Sequence, residues 1–77
     1  MSNYLLYNTA DGKTIFIGYI HFIGPIQTLE DGLNEYKIFF QDKSHISVVH
    51  ADEAILIKDR RKLELAWEKI LMRTFRK

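Results

Sequence analysis

The stretch Glu35–His50, EYKIFFQDKSHISVVH, decides the fold, because two alternating runs flank a tight polar turn. Strand side chains alternate with a period of two, so Tyr36, Ile38 and Phe40 share one face of a first strand and Ile46 and Val48 one face of a second. A two-residue loop of Asp42 and Lys43 would set Phe40 opposite His45 and Ile38 opposite Ser47, mixing apolar and polar residues on both sides. A three-residue loop, either Gln41–Lys43 or Asp42–Ser44, changes the parity and gathers Tyr36, Ile38, Phe40, Ile46 and Val48 on one buried face. The spacing therefore predicts an odd loop, a type I turn followed by a left-handed residue. Lys37, Phe39, Ser47 and Val49 then point the other way, and Phe39 with Val49 needs cover from the rest of the chain or from a partner.

Working back toward the N-terminus, Thr14–Ile23 (TIFIGYIHFI) is apolar on both parities. One face carries Phe16, Gly18, Ile20 and Phe22, and the other carries Ile15, Ile17, Tyr19, His21 and Ile23. Such a run is expected to be covered on both sides, with Gly18 as a bend or bulge that slips the parity. Tyr4–Tyr7 has strand composition, and the turn residues Asn8–Lys13, with Asp11-Gly12 among them, open a hairpin. Gly24-Pro25 ends the long strand. Ile26–Asn34 is expected to be an irregular connection with one capped helical turn over Thr28–Asp31.

Toward the C-terminus, Ala51-Asp52-Glu53 makes a polar corner, and Ala54-Ile55-Leu56-Ile57 suggests a short strand. Asp59 is suited to an N-cap, and no Gly or Pro follows it. Leu63, Ala66, Trp67, Ile70, Leu71, Thr74 and Phe75 then recur at helical spacing, flanked by Leu65 and Met72, with Trp67 at the centre of the stripe. The expected elements are strands at about 4–7, 14–23, 35–41, 45–50 and 54–58 and a helix at about 60–75. The fold class is mainly β with a C-terminal helix (α+β). Its expected form is a five-stranded antiparallel small barrel or strongly bent sheet, SH3-like in strand count and size, with the helix packed through Trp67, Ile70 and Leu71.

At 77 residues the chain has room for one domain and one core. No internal repeat or linker divides it. An apolar fraction of 47% with one Pro and four Gly is that of a folded protein. The absence of Cys excludes disulfides and thiolate metal sites and suits a reducing compartment, so the cytoplasm is the expected location. The opening MSNYLLYNTADGK lacks the basic start and apolar run of a signal peptide. No apolar run is long enough to cross a membrane.

The net charge of +1 hides an asymmetry. Residues 1–57 hold three Lys against seven acids, a balance of −4, whereas residues 58–77 hold eight cations against three acids, a balance of +5. An acidic sheet is thus followed by a basic helix, with Arg60, Arg61 and Lys62 expected at the helix start, where the dipole disfavours cations.

Catalytic chemistry finds few of its parts. Among the serines, Ser2, Ser44 and Ser47, only Ser47 lies near histidine in sequence, and on a strand rather than an exposed elbow. Glu30-Asp31 and Asp52-Glu53 are adjacent carboxylates suited to solvated turns, and the glycines at 12, 18, 24 and 32 match no phosphate loop. His21, His45 and His50 could in principle hold a metal, but the odd hairpin register turns His45 and His50 to opposite faces. No cofactor, metal or small-molecule substrate is inferred, and the chain is expected not to be an enzyme.

Two binding functions stand against each other. Ten aromatics in so small a chain exceed what one core easily hides, which favours protein–protein association, as self-association, adaptor, inhibitor or regulator. Its expected contact residues are Tyr19, His21, Lys37, Phe39 and Val49. The alternative is nucleic-acid binding through the basic helix, using Lys58, Arg60, Arg61, Lys62, Lys69, Arg73 and Arg76, with Tyr4, Tyr7, Tyr19 and Phe39 as stacking surfaces. The plainer account of that helix is a solvated cationic face that balances the acidic sheet.

Overall fold

The computed structural model describes residues 5–75 of the chain. Six strands and one helix follow in order: β1 (Leu6–Asn8), β2 (Thr14–Phe16), a 3₁₀ turn (Ile17–Tyr19), β3 (Ile20–Ile23), β4 (Gln27–Thr28), β5 (Asn34–Phe40), β6 (His45–His50) and α1 (Glu53–Phe75). Tyr4, placed in the first strand by its composition, and Arg76 lie outside the described residues.

Strand β5 is the centre of the sheet. It pairs antiparallel with β6 along one edge and with β3 and β4, in succession, along the other. Strands β1 and β2 form a separate antiparallel hairpin. Among the described residues the sheets do not close into a barrel, which corrects the barrel form of the expectation, and the strands number six rather than five.

The β5–β6 hairpin has the predicted parity and takes the first of the two expected loops. Tyr36 faces Val48 and Ile38 faces Ile46, and the loop is Gln41–Lys43. The Phe40 amide donates to the Ser44 carbonyl at 2.9 Å, the Lys43 amide donates to the Phe40 carbonyl at 3.0 Å, and Lys43 has φ 74°. Tyr36, Ile38 and Val48 are buried, and Phe40 and Ile46 pack against them.

The other two hairpins turn the same way. Thr9 pairs with Lys13 around Ala10-Asp11-Gly12, and Leu29 pairs with Leu33 around Glu30-Asp31-Gly32, with positive φ at Gly12 and Gly32. An Asp holds the middle loop position each time. Asp31 Oδ1 accepts from the Leu33 amide at 3.1 Å and Asp42 Oδ1 from the Ser44 amide at 2.9 Å, which pre-forms the turn. The expected helical turn over Thr28–Asp31 is therefore replaced by a β-turn, with Gln27 and Thr28 as a sixth strand.

The long strand expected over residues 14–23 is broken. The 3₁₀ turn containing Gly18 separates β2 from β3, and a bulge separates Ile20, opposite Phe40, from Phe22, opposite Phe39. Both devices slip the parity, so Ile15, Ile17 and Ile20 are buried while Phe16, Tyr19 and Phe22 are exposed. The run is covered on one side only.

The largest correction concerns residues 54–58, which form the first turns of α1 rather than a strand. Asp52 is the cap: its Oδ1 accepts from the Ala54 amide at 2.9 Å and the Ile55 amide at 3.4 Å, the two orphan donors an N-cap serves. Asp59 lies inside the helix and is buried. Arg60, Arg61 and Lys62 consequently sit two turns in, away from the positive dipole end. The helix packs on the Tyr36 face of the sheet through Leu56 and Leu63, both fully buried, with Ala66, Trp67 and Ile70 partly buried beyond them. Trp67 is thus a flank of the contact rather than its centre, and Leu71 is exposed. Burial of each leucine contributes roughly 1.5–3 kcal/mol.

Candidate functional site

Because α1 covers the face of the sheet that carries Tyr36, Ile38 and Val48, the alternate residues of β5 and β6 form an outer face. Glu35, Lys37, Phe39, Ser47 and Val49 are half-buried there, and His45 is exposed. The bulge in β3 turns Phe22 onto this same face, where its ring stacks on Phe39 with centroids 4.3 Å apart and planes 11° from parallel. His21 meets the edge of Phe22 at 5.5 Å, and His45, directly across from Phe39, lies 5.3 Å from its ring. The four rings make a continuous aromatic strip, and Phe22 keeps 45% of its surface exposed. A shallow depression beside the strip is lined by His21, Phe22, Phe39, Phe40, Gln41 and Lys43.

Of the five contact residues named from sequence, His21, Lys37, Phe39 and Val49 come together on or beside this face. Tyr19 does not. Its ring packs near Phe40 at 6.2 Å and borders a separate open groove of about 590 Å³ with Phe16 and Ile46. Val49 is also engaged along its backbone, since its amide donates to Asp11 Oδ2 at 3.2 Å and ties the β1–β2 hairpin to β6. Sequence reasoning missed Phe22, and the signal was available only through the bulge that reverses its parity relative to Ile20.

The cationic residues of α1 lie on the opposite side of the sheet from the aromatic strip. Arg60 is committed to the fold: Nε donates to the Gly24 carbonyl at 2.8 Å and an η nitrogen to the Ile23 carbonyl at 3.3 Å, which ties the helix to the end of β3. Lys58, Lys62 and Lys69 are exposed and fall within roughly 40° of one another around the helix axis. Arg61 is exposed on a different flank, and Arg73 lies on the helix.

A buried polar cluster joins all the parts. Asp59, 8% exposed, accepts from the Tyr7 hydroxyl at 2.6 Å through Oδ1, and from the Tyr36 hydroxyl at 2.8 Å and the Ala10 amide at 3.0 Å through Oδ2. Burial, and then the hydrogen bond to the Asp59 carboxylate, pushes both tyrosine hydroxyls well above their ordinary value, so they hold their protons as donors. Largely buried and with its side-chain polar atoms partnered, this cluster is a staple between hairpin, sheet and helix. Among the described residues no three His, Asp or Glu side chains converge as metal ligands, and no helix is long and apolar enough to cross a membrane.

Neither a protein-family model, nor a curated protein, nor a solved structure matches this chain.

Proposed function

We propose that this chain is a small non-enzymatic binding module that works through protein–protein association, with the outer face of its sheet as the contact surface. The observation that carries the reading is the Phe22–Phe39 stack, open to solvent on the side of the sheet away from α1. Aromatic residues are enriched at protein interfaces because they desolvate a large area at low conformational cost, and the Phe22–Phe39 pair, flanked by His21, His45 and Lys37, has the apolar centre and polar rim of such a site. Glu35 beside Lys37 gives the face mixed charge, which suits a protein partner better than a polyphosphate.

The second reading, nucleic-acid binding by α1, keeps one supporting observation, the shared flank of Lys58, Lys62 and Lys69. The stacking rings and these cations lie on opposite sides of the sheet, so a single strand could not engage both in the manner of aromatic-lined binding grooves.

Affinity capture with the wild type and with Phe22→Ser, each with and without nuclease, discriminates the two readings. A protein retained after nuclease and lost with Phe22→Ser supports the sheet face. Material lost on nuclease treatment and indifferent to Phe22→Ser supports the basic helix, and a salt-dependent shift of labelled RNA would then be expected.

A further inference from the structure

A second surface is written into α1, on the side turned away from the sheet. At about 100° per residue, positions 54, 57, 61, 65, 68 and 72 fall within an arc of roughly 80°, nearly opposite the buried stripe of Leu56, Asp59 and Leu63. Three of these are large apolar residues left open: Ile57 is 51% exposed, Leu65 46% and Met72 62%. Between them stand Arg61 and Glu68, also exposed. The order along the stripe is apolar, cation, apolar, anion, apolar.

That order is self-complementary when the helix is reversed. The midpoint of Ile57 and Met72 coincides with the midpoint of Arg61 and Glu68, between Glu64 and Leu65. In an antiparallel helix pair about a two-fold axis at that point, Ile57 of one copy meets Met72 of the other, Arg61 meets Glu68 twice over, and the two Leu65 side chains meet beside the axis. A parallel pair would set Arg61 against Arg61 and Glu68 against Glu68. The stripe repeats every 3.6 residues from position 54 to 72, so two straight helices can follow it without supercoiling.

We propose that a second copy of this chain occupies the outer face of α1, forming an antiparallel two-fold dimer centred at Leu65. The sheets lie outside and the two helices inside, and the aromatic sheet face remains free for the association proposed above, on which this dimer does not depend. The contact runs about 22 Å along each helix. A single helix pair of that length falls below the ~1,200 Å² at which stable complexes begin, so the dimer is reversible and concentration-dependent.

Sedimentation equilibrium of the full chain over a wide concentration range tests this. The weight-average mass is expected to rise toward twice the chain mass, and Leu65→Glu is expected to hold it at the monomer with unchanged far-UV circular dichroism. Arg61→Glu and Glu68→Arg are each expected to weaken the dimer about tenfold, since each places two like-charge pairs at the contact. Mixed in equal amounts, those two variants regain association, because every pair is then attractive. The absence of Cys in the chain permits a direct check of direction: a short thiol cross-linker should join Ile57→Cys to Met72→Cys in a mixture more readily than it joins either to itself. A strict monomer at every concentration overturns the proposal, as does a dimer kept by Leu65→Glu and lost with Phe22→Ser, which would move self-association to the sheet.

Discussion

Tyr36 of the central strand and Asp59 of the helix meet across the core, the hydroxyl donating to Oδ2 at 2.8 Å with the tyrosine 1% exposed. The bond sits where three parts of the fold converge, because the same carboxylate also receives the Tyr7 hydroxyl and the Ala10 amide of the β1–β2 hairpin. That hairpin is not paired with the main sheet, so Asp59 and the Asp11–Val49 bond are its principal polar ties. Removing the carboxylate leaves the Tyr7 and Tyr36 hydroxyls and the Ala10 amide without their acceptor, at about 1–3 kcal/mol for each one left unsatisfied away from water. Asp59→Ala is accordingly expected to lower unfolding stability by about 3–5 kcal/mol, and Tyr36→Phe by about 1–2 kcal/mol. Urea titration followed by fluorescence checks both, and equal stability of wild type and Asp59→Ala would remove the staple from the account.

Alkaline pH gives a second test of the same cluster. The folded state holds the Tyr36 proton more tightly than the unfolded chain does, since burial and the Asp59 carboxylate raise its pKa. Its contribution is thus fully present below the unfolded value of about 10 and is lost as pH rises above it, when the unfolded chain ionises and the folded protein does not. Above about pH 10 the stability of wild type is expected to fall more steeply than that of Tyr36→Phe, by about 1.4 kcal/mol per pH unit, one proton's worth. Parallel slopes in the two proteins would contradict a protonated, buried Tyr36.

On the acid side, Asp11 behaves oppositely. Burial alone would raise its pKa, but hydrogen bonds from Lys13, Thr9 and the Val49 amide outweigh it and hold the carboxyl below its ordinary value. The associated stability is present above the unfolded value of 3.8 and is lost as pH falls below it toward the folded value. Asp11→Asn is expected to lose about 1–2 kcal/mol at neutral pH and to show a shallower decline in stability below about pH 4. Thermal unfolding of both proteins across that window measures the difference.

These residues also mark what sequence could and could not disclose. The parity of the β5–β6 pairing was legible because a period of two and five apolar residues demand an odd loop, but two such loops remained, and the Phe40–Ser44 backbone pairing decides for Gln41–Lys43. The helix start was not, because Ala54-Ile55-Leu56-Ile57 has the composition of a strand and Asp59 that of a cap. What decides the matter is tertiary: Leu56 alone of that run is buried, and Asp59 is drawn inward by two tyrosines distant in sequence. The same limit governs the aromatic face. Phe39 followed from parity, whereas Phe22 required a bulge whose position only the pairing with β5 reveals. Strand β4, two polar residues at an edge, carries no alternation to detect, although the Asp31-Gly32 turn beyond it repeats Asp11-Gly12.

Asp52 and Asp59 can be separated by serine. A helix N-cap needs only a short side chain with an acceptor oxygen, which serine supplies, so Asp52→Ser is expected to stay within about 0.5 kcal/mol of wild type, while Asp52→Ala loses about 1 kcal/mol. At residue 59 serine is too short to reach Tyr7, Tyr36 and Ala10 together, and its loss should approach that of Asp59→Ala. If serine were instead tolerated at 59 and harmful at 52, the helix would begin where the sequence alone suggests.

The three hairpin turns supply a final prediction, because the residue that must take positive φ is glycine in two of them and lysine in the third. Each closes around a loop of three with Asp in the middle, and the third position is Gly12, Gly32 or Lys43, always at positive φ. A side chain with a Cβ costs about 1–2 kcal/mol in this left-handed region, whereas glycine enters it freely but loses more entropy on folding, about 0.5–1 kcal/mol. The balance favours glycine at residue 43. Lys43→Gly is expected to stabilise the fold by about 0.5–1 kcal/mol, which for a domain of this size raises the melting temperature by roughly 2–8 °C. Gly12→Lys and Gly32→Lys should lower it by a comparable amount, since nothing lies within 4 Å of a Cβ at either glycine and the backbone conformation is the only obstacle. Differential scanning calorimetry of the three variants decides it. A destabilised Lys43→Gly would mean that the Lys43 side chain makes a contact outweighing its backbone strain.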